Sequence, residues 1–369
     1  MQKRLSVIPC AYFSLAVLLP LFLSGCAGAV PSMHSHECEL PEVRGNTTLS
    51  PHCVYKEAVI ITSSNTTLDC RGALLEGDNK RPFGILINSK GKPLSDVTIR
   101  NCKVRHFTHS GIRITSDIAA NKLSPNHEEN YRRTPTRITL ENVEVTGSGR
   151  VGIYFDSYVT KSVLKDSLVA NSGGAGIYLE QSSKNNQIIN NKILKNGISS
   201  DKPQREGLAI DSSAENIIER NEFSNNGLGG VLLYKNCGEK FSTGKSVIRW
   251  QHSDNNIIKN NLFENEKVGV WVASRQHYNL KHWDCGDKAL DKDGMYYEDF
   301  SNNNLIENNK FCRNLVSIKV AGRNNHIKSN QFDSNIDKAI EFLTPNNVYS
   351  FENKKTQNKV SGSQEKNCN

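Results

Sequence analysis

The chain has 369 residues, with 46 Lys and Arg against 38 Asp and Glu, a formal charge of +8, ten cysteines, 7% aromatic residues and three methionines. Few aromatics, little Met and abundant Asn and Gly argue against a helical fold and for an all-β solenoid. The modest basic excess suits an acidic partner, but no motif interleaving basic and aromatic residues is present, so no nucleic acid is expected.

The chain opens as a targeting segment. Lys3 and Arg4 precede an apolar run from about Tyr12 to Leu23, which is too short to span a bilayer. The run ends in Leu23-Ser24-Gly25-Cys26, which resembles the bacterial lipobox. That resemblance implies a signal peptide over 1–25, lipidation of Cys26 and a membrane contact through the lipid anchor. Ala27 after the cysteine then implies an outer-membrane lipoprotein, facing the periplasm or the cell surface. Residues 26–50, rich in Ser, His and Pro, read as a tether.

Setting aside Cys10 and Cys26, eight cysteines remain, an even number that fits an oxidising compartment. Cys38 with Cys53, Cys70 with Cys102, and Cys237 with Cys285 are plausible partners. Cys312 and Cys368 are left to pin the tail. Spacing does not fix this connectivity, and free thiols stay open.

From about residue 51 a repeat takes over. Residues 184–197, 214–227 and 253–266 each give a polar Asn-bearing turn, a short Ile/Leu run, an Asn-rich turn and a second short run. A third short strand then starts at Gly, as in 176–180, 207–211, 230–234 and 269–273. Such a unit cannot bury its apolar face alone and must stack on the next one. The pattern predicts a single-stranded coil over 51–350, followed by a polar tail at 351–369. Asn191, Asn221, Asn261 and Asn309 fall at equivalent turns and are expected to hydrogen-bond to one another as structural ladders.

The extra residues are informative. Insertions at 116–135, 235–252 and 275–300 all leave directly after the Gly-led strand, and 197–206 enters just before it. Insertions at one phase lie along one side of a solenoid, often the binding side. Strand alternation turns Ile, Val and Leu inward and sets Arg113, Tyr154, Tyr178, Trp271 and Lys319 in one outward column. A second outward column holds Asp156, Glu180, Asp211 and Tyr234. The rings are suited to packing on sugars. Acids on consecutive rungs would lie about 5 Å apart and those on alternate rungs about 10 Å. Their repulsion requires either a raised pKa or a cation such as Ca2+ held by Asp156, Glu180 and Asp211. Lys235 and His252 in one late insertion, with Arg275 and His277 in the next, supply candidate catalytic groups.

The repeated NNxIxxNxF…GIxL pattern, over about residues 54–345, resembles the pectate-lyase-like superfamily of right-handed parallel β-helix proteins. That resemblance implies the fold firmly and the reaction poorly. Members include uronate lyases, C5-epimerases, polygalacturonase-type hydrolases and accessory proteins without known catalysis. The GHG and RIK signatures of polygalacturonases and the DPHD signature of alginate epimerases are absent from this sequence. The leading expectation is a lyase cleaving a uronate-containing exopolysaccharide by β-elimination. A two-carboxylate hydrolase, a C5-epimerase and a non-catalytic glycan-binding or assembly protein stand as alternatives. An acidic polysaccharide is the expected partner.

Overall fold

The structure is a computed structural model, and it describes residues 36–276, 278–280, 282–287, 299, 301–334, 338–343, 358–366 and 368. Short strands assemble into three sheets of twelve, eleven and ten members, and each coil between the two ends contributes one strand to each sheet. Every strand pairs in parallel with its equivalent one coil away, as Val163–Lys165 does with Gln187–Ile189 and Val151–Phe155 with Ile177–Leu179.

Register explains why the repeat folds this way. Leu164, Ile188, Ile218, Ile258, Ile306 and Ile327 occupy successive rungs of one inward row. Val169, Ile193, Phe223, Phe263, Phe311 and Phe332 form a second row. Ile153, Ile177, Leu208, Val231, Val270 and Ile318 form a third, and nearly all of these side chains are fully buried. Phe223, Phe263 and Phe311 stack with centroids 5.0 and 4.9 Å apart. One coil has no second layer of its own; its core is the coil above and below.

The turns are held by buried asparagines, as expected. The backbone N–H groups of Asn191, Asn221 and Asn261 donate to the side-chain oxygen of the next asparagine at 2.9, 2.8 and 2.9 Å. Each Nδ2 also reaches a carbonyl of the preceding coil, as Asn261 does to Ile218 O at 2.9 Å. The residue before each of them is left-handed, at φ 56° for Asn190, 55° for Arg220 and 57° for Asn260. Asn adopts that region at little cost. A parallel ladder between the second run and the Gly-led strand contains Asn196, Asn226 and Asn314, with Glu266 in place of the third asparagine.

The coil extends past both expected boundaries. Strands His36–Glu37 and Asn46–Thr48 add rungs within the segment read as a tether. Strands Lys359–Ser361 and Gln364–Glu365 pair with His326–Lys328 and Gln331–Phe332 within the segment read as a polar tail. Sequence pattern misses these rungs because a capping strand has only one neighbour and needs no apolar row. Four disulfides join Cys38 to Cys53, Cys70 to Cys102, Cys237 to Cys285 and Cys312 to Cys368. The signal segment and Cys26 lie outside the described residues. Among the described residues no helix is long and apolar enough to cross a membrane.

Candidate functional site

The insertions wall the Gly-led sheet. The first contains a short helix, His127–Arg133, whose start is capped by Asn126 accepting from the Glu128 N–H at 3.0 Å. His127 stacks on Trp250 of the 235–252 insertion at 4.4 Å, and its Nδ1 meets the Tyr158 hydroxyl at 2.9 Å. The two insertions therefore touch each other beside the sheet. Below them lies a cavity of about 360 Å³, whose lining includes Arg113, Tyr154, Asp156, Glu180, Lys245 and Arg249. A larger concavity of about 940 Å³ runs along the Asn-ladder turns, lined by residues such as Asn142, Asn191 and Asn221. It is an open channel over paired turns where no insertion converges, so the smaller cavity is the better candidate site.

The chemistry of the smaller cavity is specific. Arg113 donates to Asp156 Oδ2 at 2.6 Å, and Thr115 Oγ1 donates to the same oxygen at 2.7 Å. The Arg113 guanidinium also lies 5.3 Å from the Tyr154 ring centre and 5.6 Å from that of Phe83. On the next rung, Glu180 receives the Tyr154 hydroxyl at 2.6 Å and Arg249 Nη2 at 3.1 Å. Burial pushes the Glu180 carboxyl above its ordinary range; Arg249 opposes the rise and Asp211 adds to it. Asp156 and Glu180 directly follow Phe155 and Leu179, which are paired in register. Their backbones are thus one rung apart, about 4.8 Å.

Further along, the sheet is covered. Asp211 is fully buried and accepts the Tyr178 hydroxyl at 2.7 Å, Ser212 Oγ at 2.8 Å and the Asn236 N–H at 3.0 Å. The Tyr234 hydroxyl donates to the Tyr178 oxygen at 3.1 Å, and Arg205, paired with Glu206 at 2.7 Å, donates to Tyr234 at 3.4 Å. Asp299, 1% exposed, accepts the backbone N–H groups of Lys235 and Arg275, both at 3.0 Å. It thereby fastens the roots of two insertions together. Burial raises its carboxyl to about 7.

Residues 79–247 match a family described as right handed beta helix region, and residues 195–340 match the periplasmic copper-binding protein NosD. The fold is a right-handed parallel β-helix. Among solved structures, the A-module of the Azotobacter vinelandii mannuronan C-5 epimerase AlgE6 is similar at TM-score 0.56 and 14% identity, over 90% of this chain and 87% of that one. An alginate lyase from Paenibacillus sp. str. FPU-7 aligns at TM-score 0.48 and 12% identity, over 87% of this chain and 91% of that one. PfbA, a surface adhesin of Streptococcus pneumoniae, aligns at TM-score 0.49 and 12% identity, over 88% and 84%. Among curated proteins, no relative matches this sequence.

The β-helix separates the expected site residues. Arg113 and Tyr154 reach the cavity. Tyr178 and Tyr234 instead belong to the covered hydrogen-bond chain. Trp271 lies under Lys319, whose Nζ is 4.6 Å from the ring centre and 3.4 Å from Glu341. The late cations are engaged. Lys235 is buried against Asp287 at 2.6 Å. Arg275 lies between the Tyr234 and Trp283 rings, at 4.7 and 4.8 Å, and pairs with Glu239 at 2.5 Å. His252 is half-buried near Asp254, whose carboxyl is raised by burial and lowered by that imidazole. His277 lies outside the described residues.

The three acids expected to share a cation each have their own partners: Arg113 and Thr115, Tyr154 and Arg249, or Tyr178 and Ser212. Among the described residues, only His36, Cys38 and Cys53 bring three ligand atoms within 4.8 Å of one another, and those two cysteines are disulfide-bonded. The donors among the described residues therefore fit neither a three-carboxylate Ca2+ site nor, within 195–340, the imidazole and sulfur set that suits copper. Cys237 and Cys285 are also consumed in a disulfide.

Sequence reasoning missed Arg249, Lys245, Asp299 and the Arg205–Glu206 pair. Arg205 and Glu206 carried a readable signal, a charged pair set directly before a Gly-led strand. Arg249 and Asp299 carried none, since each returns to the sheet from an irregular loop.

Proposed function

We propose that the protein acts on a polysaccharide held in the cavity over the Gly-led sheet, and that Asp156 and Glu180 break its glycosidic bond. The observation that carries this reading is the contrast between the two carboxyls. Asp156 accepts hydrogen bonds from Arg113 and Thr115, while burial favours the protonated form of Glu180. A buried acid that holds its proton beside a carboxyl paired with a guanidinium suits a division into acid and nucleophile. Glu180 would protonate the leaving oxygen, Asp156 would attack the anomeric carbon, and Glu180 would then deprotonate the water that releases the sugar. Carboxyls on adjacent rungs suit the retaining separation of about 5 Å. Tyr154 and the Arg113–Phe83 stack offer faces for sugar rings.

A second reading is β-elimination on a uronate-containing exopolysaccharide. It is favoured by the three cations, Arg113, Lys245 and Arg249, that line the same cavity and could neutralise a uronate carboxylate. Deprotonated Glu180 would then remove the C5 proton. C5-epimerisation begins with the same proton, and mannuronan, named for the AlgE6 module, is a uronate polymer of this class. The periplasmic NosD match and the four disulfides support an extracytoplasmic location. Within it we place an outer-membrane lipoprotein anchored through Cys26.

The test is incubation with neutral and uronate polysaccharides, following both reducing ends and the ultraviolet absorbance of a new C4–C5 double bond, with and without chelator. Reducing ends without that absorbance, lost in both D156N and E180Q, support the two-carboxylate reading. Absorbance supports elimination. Binding without either product leaves a glycan-binding protein, and loss of turnover with chelator would return the acids to a metal.

A further inference from the structure

The 235–252 insertion does more than wall the cavity. From it Arg249 reaches back to the sheet 69 residues away in sequence, placing Nη2 at 3.1 Å from Glu180 Oε1 and Nη1 on the Gln181 side-chain oxygen. Both members of the ion pair are nearly enclosed, with side-chain exposures of 10% for Arg249 and 14% for Glu180. Arg249 Nε is buried and has no hydrogen-bond partner. The loop that delivers it is fixed at several points. Cys237 is bonded to Cys285, Asn236 N–H donates to Asp211, and Gln251 Nε2 donates to Ser212 O at 3.3 Å. A long flexible side chain is thus held in one place by a loop that is itself tied down.

We infer that Arg249 is a positioning residue, which aims the Glu180 carboxyl and sets the pH at which it carries its proton. The charged and titratable groups facing Glu180 are Tyr154 and Asp156 from the preceding rung, Asp211 from the following one and Arg249 from the insertion. Arg113 and Lys245 lie across the cavity. Burial and the two aspartates favour the neutral acid, Arg249 and the Tyr154 hydroxyl favour the anion, and Arg249 is the strongest of the groups that do. Without it, the carboxyl would hold its proton to higher pH and would lose its fixed direction. The inference rests on the reading of Glu180 as the acting acid, so its test does not depend on turnover.

The experiment is titration of the Glu180 carboxyl carbon by NMR in the full-length chain labelled at glutamate, with the signal assigned by its loss in E180Q. R249Q should raise the midpoint by about one pH unit or more, the scale on which a close opposite charge acts. R249K should reverse most of that rise. Q181A, which leaves the charge in place but releases Nη1, should give a smaller rise and provides the reading if R249Q does not fold. An unchanged midpoint in R249Q, or in Q181A where R249Q cannot be measured, would overturn the inference. A shifted midpoint in a protein that cleaves nothing would sustain the electrostatic role and reject the catalytic reading instead.

Discussion

Glu266 offers a measurement of how the β-helix turns are held. It stands at 1% exposure in a ladder where Asn196, Asn226 and Asn314 occupy neighbouring coils. Asn226 donates to it from Nδ2 at 2.7 Å and from its backbone N–H at 3.2 Å, and the Glu266 N–H donates to Asn314 at 2.8 Å. Burial moves its carboxyl from 4.5 to about 8, against the opposing effect of those two Asn226 donors. Because the folded value lies above the unfolded one, the stabilisation is complete below about 4.5 and is lost as pH rises through about 8. A displacement of about three and a half pH units, at about 1.36 kcal/mol each, corresponds to about 5 kcal/mol.

Glu266→Gln keeps the acceptor oxygen and supplies a permanent donor, so it imitates the protonated acid at every pH. Urea unfolding followed by tryptophan fluorescence should find wild type and E266Q similar at or below about pH 4.5 and diverging as pH rises towards about 8. In alkaline buffer the variant should be more stable, by up to about 5 kcal/mol. Other titrating groups are common to both proteins and cancel in the difference. A difference between wild type and variant that does not change with pH would refute the reasoning.

Other outcomes follow from the same geometry. Asn261→Ala removes a side chain that accepts from Asn221 and donates to Ile218 O and Asn309. It should cost about 3 kcal/mol by thermal or urea unfolding, because buried groups on both sides lose partners. Tyr154→Phe deletes the 2.6 Å hydrogen bond that favours ionised Glu180. If Glu180 acts as the acid, the alkaline limb of the pH–rate profile should move upward. Replacing Cys237 and Cys285 by Ser should lower activity through the loosened Arg249 loop while circular dichroism of the sheets is retained. Replacing Cys70 and Cys102 should instead cost about 2–4 kcal/mol of stability with little effect on turnover.

The fold was legible because a solenoid writes its core as a period. The Gly-led strands, the Asn turns and the common phase of the insertions are properties of the repeat, readable before any contact is known. The candidate site was legible only in part. Alternation correctly turned Asp211 and Tyr234 away from the core, yet they are 0% and 3% exposed because the insertions cover them. Strand period fixes the direction of a side chain, and loops decide whether water reaches it. Lys235 illustrates the same limit, since its burial against Asp287 depends on where a second insertion folds back.

The placement of the disulfides bears on how such a molecule comes apart. A stack in which each coil is held by its neighbours has two weak places, the first rung and the last, where one face is bare and local opening is easiest. Cys38–Cys53 closes the first rungs and Cys312–Cys368 fastens the final one. With both disulfides in place, fraying inward from either end of the described stack is opposed, and proteolysis that depends on such opening should be slowed. Reduction would restore that route: the β-helix should then unwind from its rims, coil by coil, while its interior rungs still hold.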